Sequence, residues 1–203
     1  MSNSFATESA LLIMHCQNDI VDPAGLYSGS GAFSEVVKRG TLQKIADMKK
    51  AARDAGMQVF FINNVFSKGY PELNGNRLPI CAAARDTQSF LEGSWGVENP
   101  DVIKPLEGDL VIRNFNTSAF SYTNLDQILR ARRIEKLYLS GVATNFVIDS
   151  TARYGSELGY EIHILEDCCA SWSADMHEFA IKHILPQFGV IDSSSALIKA
   201  LSE

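Results

Sequence analysis

Short apolar runs alternate with longer stretches of helical spacing along most of the chain. Residues 10–14 (Ala10, Leu11, Leu12, Ile13, Met14) form an unbroken apolar run of strand length, and residues 58–62 form a second around Val59, Phe60 and Phe61. Between them, residues 34–56 place Val37, Leu42, Ile45, Met48 and Ala52 at helical spacing and end on Gly56, which predicts one helix with a glycine stop. Further strands are predicted at 110–112, 136–139, 160–165 and 188–191. Helices are predicted at 125–133, 144–158, 174–185 and 195–201, the third of these stopping before Pro186. A long segment, 63–108, is rich in Gly, Pro and Asn and predicts a helix only in its middle, at 80–91.

Strand followed by helix, repeated, implies right-handed crossovers and a parallel sheet covered on both faces. Apolar runs without strict alternation suit strands buried on both sides. The fold class is therefore α/β, one three-layer α/β/α domain over residues 1–203, a length that buries a sizeable core. In open sheets of this kind ligands bind beyond the carboxyl ends of the strands, where the strand order reverses. Candidate site segments are thus 15–19, 63–66, 113–120, 141–147 and 166–171.

Composition narrows the function classes. Apolar residues are 46% and charged residues 21% of the chain, ordinary for a globular protein. A net charge of −6 argues against non-specific binding to nucleic acid or anionic membrane. No window is long and apolar enough to span a bilayer, and residues 1–9 lack a secretory pattern, so a cytoplasmic location is expected. Cys16, Cys81, Cys168 and Cys169 show no CxxC spacing and are expected to be reduced thiols packed as small hydrophobes. No glycine-rich phosphate loop follows the first strand, and His163, His177 and His183 lack ligand-like clustering. No cofactor and no metal are expected; the expected partner is a small molecule.

Three strand ends carry a recognisable pattern. Residues 10–19 run from the first strand into His15-Cys16-Gln17-Asn18-Asp19. Residues 108–120 run from Gly108-Asp109 through the third strand to Arg113-Asn114-Phe115-Asn116-Thr117-Ser118-Ala119-Phe120. Residues 141–152 read Gly141-Val142-Ala143-Thr144-Asn145-Phe146-Val147, then Thr151-Ala152. In this order and spacing they resemble the isochorismatase-like cysteine hydrolases, and Gly93-Ser94-Trp95-Gly96, Lys104-Pro105 and Asp167-Cys168-Cys169-Ala170-Ser171 with His177 are similar to that family's flanking segments. The resemblance implies six parallel strands, a pocket floored by the ends of the first, third and fourth strands, and a homo-oligomer. It also implies a thiol nucleophile supported by an aspartate and a lysine, with backbone amides beside a non-proline cis peptide. The family's metal-binding branch uses Asp and His after the second strand, where this chain has Asn63, Asn64, Val65 and Phe66.

All three catalytic positions of that pattern are substituted, by His15, Asn114 and Val147. Valine has no nucleophilic atom, so no thioester forms at 147. Asn114 removes the cation that would stabilise a thiolate. His15 is an acid, a base or a hydrogen-bond donor, or else a satisfied polar residue in a relict pocket. Asn114 and Asn116 are expected at the rim, with Ala143, Val147, Trp95 and Phe120 lining the pocket. Cys16 is expected to point away from His15, Arg113 and Asp149 to face outward, and Cys168 and Cys169 to lie too far off to replace the lost thiol. Two functions follow: a non-thiol reaction of a small carbonyl or enol-ether compound using His15, or non-catalytic binding of a small molecule on a retained scaffold.

Overall fold

The computed structural model describes residues 4–75 and 78–202. In chain order the elements are α1 (Ser4–Thr7), β1 (Ser9–Met14), α2 (Asn18–Val21), α3 (Ala32–Arg39), α4 (Thr41–Asp54), β2 (Gln58–Asn64), α5 (Pro79–Thr87) and β3 (Leu110–Asn114). They continue with α6 (Leu125–Ala131), β4 (Lys136–Val142), α7 (Asp149–Glu157), β5 (Glu161–Ala170), α8 (Ala174–Phe179), β6 (Val190–Asp192) and α9 (Ser194–Ser202).

The six strands form one parallel sheet in the order β3-β2-β1-β4-β5-β6. The chain builds outward from β1 to β3, then returns to the other side of β1 with β4. The reversal between β1 and β4 leaves a crevice at their carboxyl ends, the place such sheets use for ligands.

Successive strand residues feed opposite cores. On β1 and β2, Leu11, Ile13, Val59 and Phe61 pack against Val36 of α3, Ile45, Met48 and Ala52 of α4, and Leu197 and Leu201 of α9. Ala10, Leu12, Met14, Phe60 and Ile62 pack against Leu125 and Leu129 of α6 and Ala152 of α7. Each such Val, Leu, Ile, Phe or Met side chain contributes about 1.5–3 kcal/mol when fully buried, and a one-residue slip of any central strand would exchange the two sets. A third, smaller cluster of Phe66, Tyr70, Leu73, Cys81, Ala84 and Phe90 comes from the segment between β2 and β3.

Four predicted elements differ in detail. The helix expected over 34–56 is two, α3 and α4, meeting at Gly40, whose φ of 64° ends the first and starts the second. Positive φ carries little strain for glycine, and hydrophobic spacing alone does not register such a break. The helix expected from 144 opens with a π-helical turn, Thr144–Ile148, before α7. The helix expected over 174–185 ends as α8 and continues through a second π-helical turn, Ala180–Ile184. Strand β5 runs to Ala170, because after a bulge Cys169 and Ala170 pair again with Gly141 and Val142.

Candidate functional site

The crevice at the β1–β4 reversal is an open cleft with a cavity volume of about 80 Å³. His15 follows β1, Asn64 ends β2, Phe115, Asn116 and Thr117 follow β3, Val142 ends β4 with Ala143, Phe146 and Val147 after it, and Trp172 follows β5. The remaining wall comes from Ile20 and Tyr27, and from Phe66, Ile80, Cys81, Ala84 and Phe90 of the third cluster and α5.

His15 has a φ of 53°, a left-handed conformation uncommon for a residue with a side chain. Its N–H donates to the Ile62 carbonyl of β2 at 2.8 Å. The tautomer follows from the hydrogen bonds around it. Asn114 Nδ2 donates to the Ser118 carbonyl at 2.9 Å, and a carbonyl only accepts. The Asn114 amide is thereby oriented with Oδ1 toward His15, 3.0 Å from Nε2. Nε2 therefore carries the proton, and Nδ1 is left to accept, at a long 3.5 Å, from Asn64 Nδ2. Burial lowers the imidazole pKa to about 4, partly countered by the bond to Asn114. At neutral pH the side chains at 15 and 114 are a neutral, mutually hydrogen-bonded pair. The resemblance implies an aspartate and a lysine at these positions; two neutral groups keep the same net charge of zero.

Polar side chains just after β1 hold this end of the cleft. Gln17 Oε1 accepts from Asn64 N at 2.7 Å, while Gln17 Nε2 donates to the Asn64 carbonyl at 2.7 Å and the Val97 carbonyl at 3.0 Å. Asn99 Nδ2 donates to the Cys16 carbonyl at 2.8 Å. Asp19 Oδ2 accepts from Phe90 N at 2.8 Å and draws the third cluster over the site. Where β1 meets β4, Gly141 has a φ of 129°, and a Cβ there would lie 2.0 Å from the Met14 carbonyl oxygen. The peptide between Val142 and Ala143 is cis, as the resemblance implies.

Of the residues singled out from sequence, His15, Asn116, Ala143 and Val147 line the cleft. Asn114, expected at the rim, is instead fully buried behind His15 and is not on the wall. Two further expectations are corrected. Trp95 is 49% exposed and off the wall. Its carbonyl accepts from Asn18 Nδ2 at 2.9 Å, so its backbone approaches the site while the indole meets solvent. Phe120 stacks between Tyr154 and Tyr160, each 5.8 Å away. The Ala119 N–H donates to Thr151 Oγ1 of α7 at 3.0 Å, which draws Phe120 onto that helix and into the core. Arg113 pairs with Glu92 at 2.9 Å and Asp149 with Arg153 at 2.8 Å, both away from the cleft as expected.

Most of the aromatic wall was missed. Tyr27, Phe66, Phe90, Phe115, Phe146 and Trp172 all face the cleft, and only Phe66, Phe115 and Phe146 fall within strand-end segments. Tyr27, Phe90 and Trp172 arrive through loops whose paths no periodicity announces. Cys81, expected as simple core, is buried yet stands on the cleft wall, its Sγ donating to the Phe115 carbonyl at 3.7 Å. The other thiols are off the wall and poor nucleophiles. Burial pushes Cys16 up to about 12 and raises Cys168 and Cys169 well above the ordinary thiol range.

A second polar chain lies behind the β4 turn. Thr144 Oγ1 is 2.8 Å from His177 Nδ1, His177 Nε2 is 3.0 Å from Glu166 Oε1, and Arg39 pairs with the same oxygen. Because the carboxylate only accepts, Nε2 carries the imidazole proton and the Thr144 hydroxyl donates to Nδ1. Burial lowers the His177 pKa against the opposing pull of Glu166. Burial alone would raise the Glu166 pKa, but hydrogen bonds from His177 and Arg39 hold it below the usual range. Among the described residues no three His, Cys, Asp or Glu side chains are gathered as a metal site.

Comparison with known proteins agrees with this architecture. The isochorismatase domain family model matches residues 9–195. Over 173 residues the chain is 35% identical to the ureidoacrylate amidohydrolase RutB of Variovorax paradoxus, covering 80% of this chain and 68% of that protein. It is 30% identical to the isochorismatase family protein YecD of Escherichia coli, covering 97% of each. A cysteine hydrolase from Pseudomonas syringae superposes with a TM-score of 0.83 at 20% identity, over 97% of this chain and 93% of that one.

Proposed function

The chain belongs to the isochorismatase family, and on that premise we propose that it binds a small uncharged molecule in the His15 cleft without forming a thioester. The observation carrying this reading is Val147 on the cleft wall beside the neutral His15–Asn114 pair. A thiol hydrolase needs a nucleophile and a charge that keeps it ionised. These three positions offer neither, so the activity in the name of the Variovorax relative is not carried over.

A second reading keeps catalysis through His15. Its support is the position of His15 on the wall, with only the 3.5 Å contact from Asn64 at Nδ1. An imidazole with a pKa of about 4 is overwhelmingly unprotonated at neutral pH. It is thus a poor acid for an enol ether, and its remaining role is to hold or deprotonate water attacking a carbonyl. Binding is the better-supported of the two.

Intact-mass spectrometry after incubation with amides, nitriles and activated esters tests the proposal. The wild type is expected to show no acyl adduct and no turnover above background. A variant combining His15→Asp, Asn114→Lys and Val147→Cys is expected to acquire an adduct at residue 147. Turnover by the wild type that His15→Ala removes would establish the second reading. An adduct on the wild type that Cys81→Ser removes would refute the thiol-free reading altogether.

A further inference from the structure

The cleft wall carries information about its ligand beyond the loss of the thiol. Among the described residues that line it, none is Lys, Arg, Asp or Glu. Six are aromatic, and they touch in pairs. Tyr27 and Phe90 stack at 5.5 Å with 14° between their planes, Phe146 and Trp172 lie 4.5 Å apart, and Phe66 and Phe115 lie 5.9 Å apart. The polar groups on the wall are neutral hydrogen-bonding side chains: His15, Asn64, Asn116 and Thr117, besides Tyr27 and the Cys81 thiol.

We propose that the cleft selects an uncharged, flat ring compound bearing one hydrogen-bonding group, and discriminates against carboxylates and ammonium ions. The proposal rests on the reading that the cleft is a ligand site. A flat ring matches walls made of ring faces and edges. Among the described lining residues an entering carboxylate meets no cation as it leaves water, so it is taken up as the neutral acid. An ammonium ion finds no carboxylate among the described lining residues, and the paired rings turn part of their faces on one another rather than into the cleft.

The size of the discrimination follows from ionisation. A carboxylic acid of pKa about 4 is neutral in roughly one molecule per thousand at pH 7, so its affinity falls by up to about a thousandfold. The same arithmetic gives back about tenfold for each unit the pH is lowered towards that pKa.

Calorimetric titration with benzamide, benzoate, benzylamine and cyclohexanecarboxamide tests the proposal at pH 7 and pH 5.5. Benzamide is expected to bind with the same affinity at both pH values. Benzoate is expected to bind at least about a hundredfold more weakly at pH 7 and to gain about thirtyfold at pH 5.5. Benzylamine is expected to bind more weakly than benzamide at both pH values, and cyclohexanecarboxamide several-fold more weakly, lacking the ring contacts. Filling the cleft by Ala143→Phe, or independently by Ala84→Phe on α5, is expected to abolish benzamide binding. If benzoate or benzylamine matches benzamide at pH 7, or the saturated amide binds equally well, the ligand class is wrong while the ligand-site reading stands. If no probe binds, or binding survives both filled variants, the class and the reading it rests on both fall.

Discussion

The neutrality of His15 makes a quantitative prediction about stability. The imidazole pKa is about 4 in the folded chain, against about 6.5 for an unperturbed histidine. The unfolded chain therefore takes up a proton first as the pH falls, and folding stability drops from about pH 6.5 to about pH 4, then levels off. The full difference is about 2.5 pH units, or roughly 3 kcal/mol, of which about 2 kcal/mol is lost between pH 7 and pH 5. The perturbation is His15→Gln, which keeps a neutral hydrogen-bonding side chain beside Asn114 but does not titrate. Urea unfolding of both proteins at pH 7 and pH 5 isolates the contribution, because the other titrating groups, His177 included, are common to both and cancel in the difference. The advantage of wild type over variant is expected to shrink by about 2 kcal/mol on going to pH 5. An unchanged difference would refute the reasoning. So would a midpoint near 6.5 for the His15 ring protons in a proton NMR titration, because the folded and unfolded chains would then bind the proton alike and burial would leave no pH-dependent contribution to stability.

Two further outcomes follow from the packing around the site. His177→Ala removes the central member of the Thr144–His177–Glu166–Arg39 chain and leaves buried polar groups without their partner; a loss of about 2–4 kcal/mol in denaturant unfolding is expected, and a loss below about 0.5 kcal/mol would mean that the chain is not coupled to the fold. Gly141→Ala forces a Cβ to within 2.0 Å of the Met14 carbonyl at a φ of 129°. It is expected to lower the thermal midpoint by well over 10 °C or to prevent folding, and a midpoint within a few degrees of wild type would show that β1 and β4 separate more easily than their packing implies.

Much of the molecule was legible from its residues alone. The apolar runs placed all six strands: β1, β2 and β4 are buried on both faces and so continuous in hydrophobicity, while the edge strands β3 and β6 showed only as short apolar runs with exposed positions. The helices were found wherever their apolar spacing was regular, and were misjudged where a glycine at positive φ or a π-helical turn changed the path without changing the composition. The strand-end rule put His15, Asn116, Ala143 and Val147 at one cleft, since the carboxyl ends of neighbouring strands are adjacent whatever their side chains are. The identity of residue 147 decided by itself that no thiol acts there.

What tertiary structure alone decided is the character of the cleft. Three of its six aromatic rings, Tyr27, Phe90 and Trp172, lie outside the strand-end segments in loops where no repeat links sequence position to direction, and the segment that carries Phe90 also takes Trp95 out to solvent. Phe120, past β3, lies off the wall, stacked between Tyr154 and Tyr160 beside the hydrogen bond from Ala119 to α7. The state of His15 was beyond the sequence for a related reason. An isolated histidine titrates near neutrality, and only burial, with an Asn114 amide oriented by the Ser118 carbonyl, settles which nitrogen holds the proton and keeps the ring uncharged.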